Sequence, residues 1–333
     1  MGRAKFLIPV AVALALLGGS ASAATPAPDP DRYAPEVRLP GDENLFPVSP
    51  DGFIAHSDLL WYGCGKTSLA IQTDVDPGRL GTGAADPYES PAYWRPSGAK
   101  PRIGCPAGDS PPDQTVTFGT PDWTRPYGGR TAVTPRPTAL LAYPANGFAL
   151  DLHDEFRPGN HDLDRVPVTY ERGRTAHGSF ITYWLFYAYN SKDDDRHEGD
   201  WERISVRFDR DAAPRQVAYY AHSGSPRICA WDAVKRVGKR HPVVFSALGS
   251  HASYPRPGEF SIGSGGGVDD APGGGERWQT WRSGVRSAHQ PWYGFGGAWG
   301  ERGDSSTTTG PAGPGARTAA DWGRHGLKTC DRP

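Results

Sequence analysis

Methionine occurs once in this chain of 333 residues, and cysteine only four times. Apart from the N-terminal segment there is no apolar run that approaches the roughly 20 residues needed to cross a bilayer. Neither sign of charge is in excess: 36 Lys and Arg face 37 Asp and Glu, a formal net charge of −1. That balance argues against nucleic acid as a partner, since its binders ordinarily carry a basic surplus. Cys64, Cys105, Cys229 and Cys330 include no C-x-x-C pair, so the common zinc and redox motifs are missing. Four cysteines without such motifs fit disulfides in an oxidising compartment. Three pairings are open. Cys64 with Cys105 and Cys229 with Cys330 is the favoured one, the second tying the tail to the central sheet.

What is plentiful is Gly (43), Pro (33) and Trp (11), which favours short strands and frequent turns over long helices. Arg3 and Lys5 precede an apolar stretch, 6–17, and the small-residue site Ala21-Ser22-Ala23. Residues 1–23 therefore read as a secretory signal peptide, and the mature chain is expected to be secreted, without a transmembrane segment. Residues 24–50, rich in Pro and Asp, read as an exposed leader. The remainder, 51–333, is expected to form a single domain. Strands are expected near 138–143, 147–152, 166–171, 179–189, 201–209, 216–222 and 242–248, with a further short candidate at 114–118 and a short helix over 230–237. The stretch 179–189 is apolar on both faces, so it should be a central strand covered on both sides. The fold class that follows is mostly β, a two-sheet β-sandwich with short helices and long loops.

The chain is organised around residues 183–209, YWLFYAYNSKDDDRHEGDWERISVRFD. Side chains alternate along a strand, so Glu202 shares a face with Ile204, Val206 and Phe208, and Asp200 lies on that face too. A buried ionised carboxylate is costly unless it is paired or bound to a cation. Asp-x-Glu thus sets two carboxylates side by side, and His197 can join them across the turn at Gly199. The alternative is a set of salt bridges to Arg196, Arg203 or Arg207, with Asp193, Asp194 and Asp195 a solvated loop. A second cluster, Asp151, His153, Asp154 and Glu155, reads better as a strand end in solvent. Trp292, Tyr293, Phe295 and Trp299, set among glycines, are expected to be buried. Cys64-Gly65-Lys66-Thr67 lacks the first glycine of a phosphate-binding loop, and Gly249-Ser250-His251 is not a nucleophile elbow.

HEGDWERISVRFD, then VAYYAHSG, then HPVVFSALGSHASYP resemble the vacuolar protein sorting-associated family numbered sixty-two, as do YWLFYAYN, FGGAWGE and GPAGP. The resemblance covers about 180–314. More distantly, HEGDWE is similar to the Gly-His-Arg-His-Asp-Trp-Glu heptapeptide of the necrosis-and-ethylene-inducing-peptide-like proteins, secreted β-sandwich cytolysins that hold a divalent cation and engage sphingolipid headgroups. That likeness implies metal ligation by His197, Asp200 and Glu202, with Asn190 at the place of a further ligand that is Asp in that family. It sets His222 and His251 near the site, as groups orienting a bound water or as a possible general base. Gly199 and Glu198 depart from the heptapeptide, and the lipid-selecting loops have no counterpart.

Oxygen-dominated ligands with one imidazole suit Mg²⁺ or Ca²⁺, with Mn²⁺ as a third candidate. The function expected is binding of a glycan or lipid headgroup through the cation, in a lectin-like or membrane-acting manner with peripheral membrane contact. The other reading is a metal-dependent extracellular hydrolase. No nucleophile with an evident base partner is legible, so the balance leans away from an enzyme.

Overall fold

The computed structural model describes residues 27–64, 67–72, 75–78, 80, 148–222, 226–262, 267–288, 290–295, 297–303, 307–314 and 330. The signal segment, Cys105 and the candidate strands 114–118 and 138–143 lie outside them.

The molecule is mostly β and sandwich-like, built on a six-stranded sheet. In spatial order its strands are Val285–Ser287, Val168–Thr175, Gly178–Asn190, His197–Phe208, Pro214–Tyr219 and Arg227–Ala230. The two longest form an antiparallel hairpin that pairs Ser179 with Phe208 at one end and Asn190 with His197 at the other. Both faces of this hairpin are apolar, and both are covered, as the sequence leads one to expect.

On one face Trp184, Phe186, Ala188 and Trp201 pack with Leu59, Leu150, Leu152, Phe53 and Trp299. Leu59, Leu150 and Trp299 belong to a four-stranded sheet of Ala298–Trp299, Phe148–Leu152, Ser57–Cys64 and Thr67–Gln72. Trp201 stacks on Phe186 at 4.0 Å between ring centres and meets Trp299 edge-on. Trp292, Phe295 and Trp299 are buried, as expected for the aromatic tail, whereas Tyr293 is only half-buried. Each fully buried large apolar side chain contributes about 1.5–3 kcal/mol, so this core holds the tail against the hairpin.

On the other face Ile181, Tyr183, Leu185, Tyr187, Ile204, Val206 and Phe208 pack with Val37, Leu39, Val244 and Trp278. Those last residues lie in and beside a five-stranded sheet of Arg236–Val237, His241–Ser246, Glu36–Arg38 and Arg277–Gln279, with Ser253–Tyr254 on the flank of His241–Ser246. The central sheet is therefore sandwiched twice.

Two expectations need correction. The Pro-rich segment is no exposed leader from residue 27 onward. Glu36–Arg38 runs between His241–Ser246, to which it is parallel, and Arg277–Gln279, and Val37 and Leu39 are fully buried. The prolines flank this strand instead of interrupting it, and Pro30 and Pro50 open short helices where a missing N–H is harmless. The helix expected over 230–237 is replaced by the strand Arg227–Ala230, a 3-10 turn at Trp231–Ala233 and the strand Arg236–Val237. Cys229, on the edge strand, is joined to Cys330 with Cα atoms 5.2 Å apart, the second of the favoured pairings. The first, Cys64 with Cys105, lies outside the described residues.

Candidate functional site

The open end of the long hairpin gathers the histidines. The strand His197–Phe208 begins four residues earlier than the sequence suggests, because Gly199 takes a left-handed conformation (φ 65°) within it. A Cβ at Gly199 would lie 1.9 Å from the Trp299 carbonyl oxygen, so no other residue fits there. Beyond this glycine the alternation holds as expected. Asp200 and Glu202 are buried and pair in register with Tyr187 and Leu185, on the face of Ile204, Val206 and Phe208.

Asp200 has a histidine as its partner. Its Oδ2 lies 2.9 Å from Nδ1 of His251, whose ring is stacked on Tyr187 at 3.9 Å and 7°. His251 is fully buried and sits in a left-handed turn (φ 52°) just after Gly249 (φ 71°). Its Nε2 makes no hydrogen bond, and Oε2 of Glu43 stands 3.7 Å away. Glu43 is itself fixed: Oε1 accepts from the Asn44 and Leu45 amides, and Oε2 from the Gly249 amide, each at 3.0 Å. An inner row thus runs Asp200, His251, Glu43, with the imidazole between two carboxylates.

An outer group sits closer to solvent. Asp269, fully buried, accepts from Ser250 Oγ at 2.9 Å and Tyr254 Oη at 2.7 Å, and its Oδ2 is 2.7 Å from Nε2 of His222. Burial pushes the Asp269 carboxyl up, but these hydrogen bonds and the His222 charge outweigh it and hold the pKa below the ordinary value. For His222 burial works against the charge, and Asp269 more than compensates, so its pKa is raised. His222 too is left-handed (φ 53°). His197 is half-buried, with Nδ1 3.0 Å from the Glu198 carbonyl oxygen. Asp195, in the turn between the hairpin strands, has its pKa raised first by burial; His197 and His222 lower it, while Asp200 and Asp269 raise it again. Asp195 is thus in electrostatic reach of His197, His222, Asp200 and Asp269, and His222 of Asp195, Asp200 and Asp269.

Asn190 is buried opposite His197, and its Oδ1 accepts from the Lys192 amide at 2.9 Å. Asn190 and His197 face each other at this end of the hairpin, while Asp200 and Glu202 lie further along the strand, opposite Tyr187 and Leu185. Among the described residues no group of three or more His, Cys, Asp or Glu side chains stands in ready ligand geometry. Asn190, His197 and Asp200 each have an internal partner on one atom, and no hydrogen bond among the described residues occupies His197 Nε2 or Asp200 Oδ1. By donor type the set fits a divalent cation.

The cluster 151–155 does not converge. Asp154 pairs with Arg157 at 2.8 Å, His153 lies 3.2 Å from Asp58, and Glu155 is exposed. Glu43, Asp269 and Asp195 carry no motif that would have singled them out; their roles arise from contacts between distant parts of the chain.

A mostly β, sandwich-like protein with a histidine- and carboxylate-lined mouth is the class that fold and site define. Residues 182–271 match the family model described as Vacuolar protein sorting-associated protein 62, so this segment is similar to that family. The matched stretch holds the long hairpin, the His222 turn, the His251 loop and Asp269, and ends before the aromatic tail. No curated protein and no solved structure matches the chain.

Proposed function

We propose that this chain is an exported protein that holds a divalent cation at the open end of the hairpin and uses it to bind a glycan or lipid headgroup. The ligands in this reading are His197, Asp200 and Glu202, with the Asn190 carboxamide beside them. What carries it is the burial of Asp200 and Glu202 on the same face as Ile204, Val206 and Phe208, where neighbouring carboxylates call for positive charge. His251 orients Asp200 from behind, the role that outer partners commonly take around a metal. A bound dication would supply open coordination positions to hydroxyl or phosphate oxygens. The apolar core contributes rigidity, since both flanking strands are fixed on two faces.

Export rests on the basic, apolar and small-residue pattern of 1–23, and the disulfide fits it. Calorimetric titration of Mg²⁺, Ca²⁺ and Mn²⁺ into the wild type and into Asp200→Ala tests the reading. Binding in the wild type, weakened at least tenfold in the variant, is expected; equal binding in both refutes this ligand set. Chelation should then release the protein from a glycan array or from sphingolipid vesicles, with no product formed.

A further inference from the structure

Beside the outer group of the mouth, positive charge stands without a counterion. Arg227 opens the edge strand Arg227–Ala230, and Arg256 lies in the turn between Ser253–Tyr254 and Gly258–Ile262. Their guanidinium groups meet on one ring. Each central carbon stands 5.0 Å from the centre of Phe260, so the two are at most twice that distance apart. Arg227 also lies 4.9 Å from the ring centre of Tyr254, which stacks on Phe260 at 3.8 Å and 10°. Both rings are buried, and the Tyr254 hydroxyl is tied down by its bond to Asp269. Two half-buried cations thus rest on one rigid aromatic support.

Among the described residues neither arginine forms an ion pair, and the one hydrogen bond from the pair runs from Arg256 Nη1 to the Pro257 carbonyl oxygen at 3.2 Å. Arg256 Nη2 is buried and makes none. The nearby acids do not serve them. Asp269, in register with Phe260, has its oxygens occupied by Ser250, Tyr254 and His222. Glu259 and Asp270 pair next to it, but alternation turns them to the opposite face, where both are exposed. Stacking on rings offsets part of the cost of burying a guanidinium. It supplies no acceptor for the N–H groups in the plane of the fork, and a buried donor left unmet is costly.

We propose that Arg227 and Arg256 form a binding site for a phosphate monoester, with Phe260 and Tyr254 as the platform that orients both forks. A phosphate monoester offers three acceptor oxygens and a charge of about −1.5 to −2, enough for a guanidinium on two sides. A carboxylate, with two oxygens and one charge, is satisfied by a single fork. Contacts of about 2.7–2.9 Å on each side fit within the span that the shared ring allows. A lipid headgroup and a soluble phosphorylated molecule both carry this chemistry. The site takes an anion directly and stands independent of the cation reading above.

The test is calorimetric titration of inorganic phosphate into the full chain at low ionic strength, in EDTA so that no divalent cation bridges phosphate to the mouth. Acetate is the control anion. Variants are Arg227→Gln and Arg256→Gln, each checked for folding by circular dichroism and urea midpoint. Phosphate should bind the wild type more tightly than acetate, and each variant should weaken it by about tenfold or more, as expected for hydrogen bonds between charged groups. Arg227→Lys and Arg256→Lys keep the charge without the planar fork; they should also weaken phosphate, and they decide if a glutamine variant fails to fold. The site is overturned by a wild type that does not bind phosphate, by variants that bind it equally well, or by a loss confined to one of the two positions. Co-sedimentation with phosphatidylcholine vesicles, with and without phosphatidic acid, separates the sources. Binding that needs phosphatidic acid and is lost in the variants upholds the site for a lipid; phosphate binding without vesicle binding upholds it for a soluble ester. With EDTA present throughout, neither result bears on the cation reading.

Discussion

Glu198 and Asp200 are two residues apart on one strand, and they end in different electrostatic regimes. Asp200 turns to the mouth, where its Oδ2 lies 2.9 Å from Nδ1 of His251. Glu198 turns to the seam between the hairpin and the four-stranded sheet, where it accepts from the Leu152 amide, the Glu301 amide and Arg157 at 3.0–3.2 Å. Asp151 stands near it and is itself in reach of Glu301, Asp58 and Asp154, with Arg157 as the opposing charge. Burial, followed by neighbours including Asp151, pushes the Glu198 carboxyl up to about 7. At the mouth the contact with His222 holds the Asp269 carboxyl down; at the seam burial pushes Glu198 and Asp151 up. The left-handed Gly199 between the two residues makes the difference, because simple alternation would set both carboxylates on one face.

The sharpest way to break this arrangement is Gly199→Ala. The new methyl would collide with backbone of the Trp299 segment, and the left-handed conformation adds about 1–2 kcal/mol. A loss of about 4 kcal/mol or more is expected, measured by urea unfolding, with mouth and seam disrupted together. A variant that folds with near wild-type stability would mean that the glycine does not set the two directions.

Much of the hairpin was legible in the sequence for a physical reason: a run apolar on both faces can only be a strand covered twice. Alternation also placed Asp200 and Glu202 inward beside Ile204. Glu198 escaped that logic: a turn at Gly199 is legible, but the glycine lies inside the strand His197–Phe208 and sets Glu198 on the face opposite Asp200. Glu43 escaped because its partner amide, at Gly249, is 206 residues away and the surrounding prolines look like linker. Asp269 sits in a short strand beside a Gly-rich stretch, and only the turn at His222, 47 residues earlier, gives it a role. Local pattern reports faces; it does not report which distant side chain closes a polar row.

Glu43→Ala separates the inner row of the mouth from everything else. It leaves the Gly249 and Leu45 amides without their acceptor and His251 with a single carboxylate. A buried donor stripped of its partner costs about 1–3 kcal/mol, so a total loss of about 2–4 kcal/mol is expected in urea unfolding. Glu43→Gln, which keeps one acceptor oxygen, should recover part of it. If both variants match the wild type, the contact between the N-terminal segment and the His251 loop contributes nothing to stability.

The smallest effect lies in the seam and is read through pH. Asp151 is pushed from 3.8 to about 6, by burial first and then by Glu301 and Asp58, the latter directly across the strand pair. Between those two values the folded chain keeps a proton that the unfolded chain has released. The contribution of Asp151 must therefore fall as pH rises from about 4 through about 6, and that of Glu198, raised to about 7, goes on falling to about 7 before the profile levels off. Because Asp151 is only half-buried, solvent screening reduces the amplitude to about 1 kcal/mol. Asp151→Asn removes the ionisation without removing the shape, so it should flatten this part of the profile and raise stability at pH 7 by about the same amount. Denaturant midpoints from pH 4 to 8 read it out. A wild-type profile that rises over this range would place the seam's charge balance on the side of the mouth, with its acids matched by positive partners and not by protons.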